Sequence, residues 1–136
     1  MNLSVTPERL LPRDSNPVYG MEAEALISGK VILVTGAGGS IGSEIVRQCR
    51  RLGAKRIIKV DDSEHALFTL SLDLFGHALF SDEDDMHLID ITDELAMGEL
   101  IGEVKPDIVF HAAAKKHLPL LQKSPHMAIR VNVFGT

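Results

Sequence analysis

Between Val34 and Glu44 the chain reads VTGAGGSIGSE, which sets four glycines within seven positions at the exit of an apolar run. That run, KVILVTG, is short, continuous and β-branched, as a strand buried on both faces requires. Behind the glycines, Ile41, Ile45, Val46, Cys49 and Leu52 recur at helical spacing, and Gly53 supplies a stop. A strand that passes through glycine into a helix bares its backbone. It also aims unpaired N–H groups and the positive end of a helix dipole at one point. An anion such as a pyrophosphate suits that point; a purely structural tight turn is the plainer alternative.

The rest of the chain repeats the alternation. RIIKVD is a second strand, and SEHALFTLSLDLFG a second helix with Ser63 as N-cap and Gly76 near its end. SDEDD reads as a solvated acidic turn and MHLIDI as a third strand. Thr92 opens a further helix that runs to about Val104, with Asp93 and Glu94 in its first turn, where carboxylates suit the dipole. Pro106 and Asp107 introduce IVFHAAA, a fourth strand, followed by a loop and a last helix beginning near Ser124–Pro125. The pattern predicts an α/β fold, a Rossmann-type parallel sheet wrapped by helices and joined by right-handed crossovers, cut off after about four β-α units. Residues 30–136 form this domain. Residues 1–29, with three of the six prolines, read as an arm or linker holding a short helical turn at Met21–Ile27.

Composition narrows the function classes. A net charge of -5 and a pI near 5.6 leave no basic footprint for nucleic acid. Cys49 is the single cysteine, so no disulfide can form within the chain, which fits a reducing compartment. No apolar run approaches the roughly 18 residues of a membrane span. A soluble, cytoplasmic domain is expected. The six histidines form no i, i+4 pair and no cysteine cluster accompanies them, so no metal is expected.

In a dinucleotide fold the glycine turn follows the first strand and a ribose-binding carboxylate follows the second. Asp61 and Asp62 stand at that second place. Asp61 there would accept from the adenosine ribose hydroxyls and repel a 2′-phosphate, which favours NAD over NADP; a polar loop is the alternative. Arg56 and Lys59 precede the strand end and pull little toward NADP. For Asp93, helix capping is the better reading. HAAAKKHLPLL, residues 111–121, sets small residues where a flat ligand can lie, then cations that can neutralise a pyrophosphate. On spacing alone the cations are equally a solvated basic loop.

The spacing Gly36-x-x-Gly39-x-x-Gly42, with Gly38 added and Thr35 before it, resembles the short-chain dehydrogenase/reductase superfamily. Taken in order, TGAGGSIGSE, the DDSE after the second strand, HAAAKKHLPLL and the closing RVNVFGT are similar to the extended branch that acts on nucleotide sugars. More narrowly they resemble the CapD-like polysaccharide-biosynthesis group, the UDP-N-acetylglucosamine 4,6-dehydratases and their relatives. The likeness extends over residues 9–136, and RLLPRD resembles the linker to a membrane-bound N-terminal part in larger members.

The resemblance implies that Gly36, Gly39 and Gly42, with Gly38, Ser40 and Ile41 between them, bind the cofactor pyrophosphate. It implies Asp61 on the ribose and Asp90 with Ile91 on the adenine. Ala112, Ala113 and Ala114 would line the cofactor wall, Lys116 would contact the cofactor side of the crevice, and Asn132 would support the active-site end of the sheet. His117 would lie near the sugar-nucleotide site in an unassigned role. Lys115 departs from the group, which usually has an aromatic or aliphatic residue there. An added charge beside the nicotinamide would alter substrate preference, or else point to solvent. NAD is the implied cofactor, a UDP-sugar the implied substrate and a homo-oligomer the implied assembly. The catalytic groups are expected beyond Thr136, in a parent that is membrane-tethered on its cytoplasmic side, and the fragment alone is expected to be inactive. A nucleotide-sugar 4-epimerase or reductase, and a non-catalytic NAD-binding module, are the alternatives.

Overall fold

The computed structural model describes residues 20–77 and 84–136. The RLLPRD stretch and most of the expected N-terminal arm lie outside the described residues, as does the first part of the acidic turn. Helix α1 (Met21–Ile27) leads into β1 (Val31–Thr35), α2 (Ser40–Arg51), β2 (Arg56–Asp61), α3 (Glu64–Phe75) and β3 (Met86–Leu88). Then follow α4 (Glu94–Val104), β4 (Ile108–His111), α5 (Leu118–Lys123), α6 (Pro125–Ile129) and a π-helical turn (Arg130–Phe134). All strand pairs are parallel and the order is β3-β2-β1-β4, so the fold is the α/β sheet wrapped by helices that the alternation predicts.

Strand β1 sits between β2 and β4, and its residues Ile32, Leu33 and Val34 are wholly buried. Successive side chains point to opposite faces, which splits the core in two. On one face Ile32 and Val34 pack with Val46, Cys49 and Leu70 from α2 and α3, and with Ile27 of α1. On the other, Leu33, Ile58 and Val60 pack with Leu100 and Val104 of α4. Helix α1 packs on this first core through the buried Ile27.

Caps follow the sequence closely. Ser63 Oγ accepts from Ala66 N at 3.2 Å, and Gly76 ends α3 in the left-handed region. Three expectations change. β3 stops at Leu88 rather than Ile91, because β2, its one neighbour among the described residues, ends at Asp61, the partner of Leu88. Helix α4 begins at Glu94 instead of Thr92, since Asp93 is its N-cap and accepts from Ala96 N at 3.0 Å. The loop after β4 is shorter than expected: α5 occupies Leu118–Lys123, with Pro119 in its first turn where a missing N–H costs nothing.

Lys59 of β2 is a charged residue at 6% exposure. It donates to the Asp84 carbonyl and lies 5.7 Å from the Phe75 ring centroid. Burial pushes its ammonium down to about 8, only partly opposed by Asp85 and Asp84. An unfolded chain holds that proton up to about 10.5, so the unfolded state binds more protons in this window. Stability is therefore expected to rise from about pH 8 to pH 10.5, by at most about 3 kcal/mol. Urea denaturation of wild type and Lys59→Met at both ends of the window checks this. The wild-type-minus-variant difference should carry the slope, and a flat difference contradicts it.

Candidate functional site

The carboxyl ends of β1, β2 and β4 open onto one cleft of about 250 Å³. Its floor is the turn between β1 and α2, where Gly36, Gly39, Ser40, Ile41 and Gly42 all face the space. Gly36 takes φ +65°, and a Cβ there would stand 2.6 Å from Ala113 N. The turn is thus pressed against the loop after β4, which lets Ala112, Ala113 and Ala114 form the adjoining wall. Gly38 does not line the cleft. Its missing Cβ makes room for Ala66, and its N–H donates to Asp61. Ile41, expected among the apolar positions of α2, is 65% exposed at the cleft, while Ile45, Val46, Cys49 and Leu52 join the core.

Helix α2 begins at this floor without a side-chain cap, since its N-cap is Gly39. Ser63 and Asp93 cap α3 and α4 with their own oxygens, so the bare start of α2 contrasts with its neighbours. First-turn N–H groups left without a capping side chain, opening on a cleft, suit an anionic ligand.

Asp61, at the end of β2, is 8% exposed and still reaches the cleft. Its Oδ2 accepts from Gly38 N at 2.9 Å and its Oδ1 from Ser63 N at 3.0 Å. Each carboxylate oxygen keeps a lone pair, so the group can serve the turn and a ligand hydroxyl together. Beyond β3, Asp90 Oδ1 accepts from Thr92 N at 2.9 Å and from Thr92 Oγ1 at 2.8 Å. The Thr92 amide, more than any other group, holds the Asp90 carboxyl below the usual carboxylate range. Arg130 closes this corner, donating to Thr92 Oγ1 at 3.0 Å and lying 3.5 Å from Asp90 Oδ2.

Of the residues singled out by sequence, Asp90, Ile91 and Lys116 line the cleft, whereas Asn132 and His117 are not among its lining residues. Asn132 binds the main chain of Lys115 at its N–H (2.8 Å) and its carbonyl (2.9 Å). His117 is the N-cap residue of α5. Lys115 lines the cleft, half in water, and its Nζ pairs with Asp62 Oδ2 at 2.7 Å. Sequence reasoning missed Asp62, Ala66, Ile89 and Val131 as lining residues. Only Asp62 carried a signal, its place beside Asp61.

A sequence family described as polysaccharide biosynthesis protein matches residues 32–136. The chain belongs to that family. EpsC of Bacillus subtilis (strain 168), a probable polysaccharide biosynthesis protein, is 38% identical over 136 residues, 97% of this chain and 22% of its own length. The capsular polysaccharide biosynthesis protein CapD of Staphylococcus aureus is 38% identical over 135 residues, with the same 97% and 22%. A dTDP-glucose 4,6-dehydratase of Shigella flexneri is 31% identical over 105 residues, 77% of this chain and 28% of that one. Among solved structures, UDP-glucose-4-epimerase from Stenotrophomonas maltophila, with bound NAD and formylated UDP-arabinopyranose, superposes with a TM-score of 0.63 at 27% identity. That alignment takes in 78% of this chain and 31% of the epimerase. The chain thus spans less than a third of each of these proteins.

Proposed function

We propose that this chain is the NAD-binding portion of a nucleotide-sugar 4,6-dehydratase of polysaccharide biosynthesis, of the UDP-N-acetylglucosamine type. The observation that carries the reading is the uncapped start of α2, which shares one cleft with the Asp61 carboxylate. A pyrophosphate suits the first, and a ribose diol the second. Asp90 and Ile91 supply a polar edge and an apolar face for an adenine, and Ala112–Ala114 a flat wall along which the rest of the dinucleotide can run. Lys116, on the same wall, adds a cation. When bound, NAD supplies hydride acceptance and return; the residues described here bind and orient it. NAD is preferred to NADP in this reading, because Asp61 and Asp62 meet a 2′-phosphate with like charge.

The kinship with a dTDP-glucose 4,6-dehydratase favours the dehydratase, and the likeness to a UDP-glucose-4-epimerase favours a 4-epimerase as the second reading. We expect the chain alone to bind the cofactor without turning over a UDP-sugar. Among the described residues no helix is long and apolar enough to cross a membrane.

Calorimetric titration with NAD, and with NADP as control, tests the cofactor half of the reading. Saturable NAD binding, at least about tenfold tighter than NADP, is the expected result, since one lost charge repulsion of ~1.4 kcal/mol is worth that much. Absence of NAD binding by a chain whose circular dichroism shows the α/β fold overturns it.

A further inference from the structure

The Lys115–Asp62 pair joins opposite lips of the cleft. Asp62 follows β2 and Lys115 follows the end of β4, and β1 lies between those two strands. Neighbouring strands sit ~4.8 Å apart, so the lips are on the order of 10 Å apart. Both residues line the cleft from either side of the glycine turn, and the lysine Nζ meets its partner at 2.7 Å. Its origin is fixed, because the Asn132 amide holds residue 115 through both N–H and carbonyl.

We propose that Lys115 and Asp62 form a clasp that closes over the pyrophosphate stretch of the bound dinucleotide and slows its release, with Asn132 as the positioning residue. The proposal rests on the dinucleotide reading of the same cleft. A cofactor lying across the strand ends passes beneath this bridge, so the pair has to open for it to enter or leave. Both side chains stay partly in water, at 40% and 43% exposure, which makes the clasp a modest, salt-sensitive gate.

The test is stopped-flow displacement of NADH from this chain, for wild type, Lys115→Met, Asp62→Asn and the double variant. Each single change is expected to raise the dissociation rate roughly three- to fivefold, the effect of an exposed ion pair. The double variant should release no faster than either single, and added salt should speed release from wild type more than from the variants. The exchanged pair, Lys115→Asp with Asp62→Lys, should recover slow release. Unchanged rates in both singles, or effects that multiply in the double, overturn the clasp. Slower release from Asp62→Asn also overturns it, since Lys115 would then be serving the cofactor phosphates directly. If wild type binds no NADH, the cofactor reading fails and the clasp with it; if NADH binds and all variants release it alike, the clasp alone fails.

Discussion

Gly42→Ala is expected to abolish dinucleotide binding and to destabilise the fold by more than about 3 kcal/mol, beyond the usual cost of overpacking. An added Cβ would stand 2.0 Å from the Gly36 carbonyl oxygen and 2.7 Å from its carbon, both main-chain atoms. Gly36 cannot withdraw, because it is itself pressed on Ala113 N and holds a left-handed φ of +65°. The clash therefore has to be relieved by moving the start of α2 away from the turn, which opens the anion site. Gly102→Ala in α4 is the control: nothing lies within 4 Å of its Cβ, and alanine in a helix interior should be favoured by up to ~1 kcal/mol. Urea denaturation and NAD calorimetry on both variants check this. Wild-type affinity in Gly42→Ala would contradict the geometry.

Asp61→Ala should lower stability by about 3 kcal/mol and NAD affinity by at least ~tenfold. Two main-chain donors, Gly38 N and Ser63 N, lose their acceptor in a part of the molecule where water reaches poorly. In the dinucleotide reading the ribose hydroxyls would lose theirs as well. Asp61→Asn separates the two roles, since one carboxamide oxygen can still receive a main-chain N–H while the charge that opposes a 2′-phosphate is gone. It is expected to recover part of the stability and to narrow the gap between NAD and NADP. A gap as wide as in wild type would mean that Asp61 does not face the ribose.

What was legible in the sequence was whatever depends on a few neighbouring residues. Gly36 and Gly42 mark the turn because main-chain crowding there admits nothing larger, and Ser63 marks a helix start because its hydroxyl reaches only three residues on. The extent of β3 was not legible, since MHLIDI is apolar to Ile91 and only the end of β2 stops the pairing at Leu88. Helix α5 was hidden by Pro119, which reads as a loop residue yet fits a first helical turn. The Lys115–Asp62 bridge spans 53 positions and exists only because β1 lies between β2 and β4, an order that no local pattern carries. The likeness in four ordered motifs led to the family, whereas the partner of Lys115 had to be seen.

The pairing of Ile32 with Ile108 joins residues 76 positions apart, and the alanine wall of the cleft hangs from that pairing. Parallel strands at such separation form slowly, because a long loop has to close before any contact rewards it. On the ribosome, at roughly 5–20 residues per second, β1, α2 and β2 emerge seconds before Ile108 does. The glycine turn and Asp61 can be in place during that interval with one flank of β1 still bare, an edge open to a neighbouring nascent chain. Arrival of β4 covers the edge and completes the cleft in one event, so a ligand that needs both lips arrives too late to help the first strands assemble.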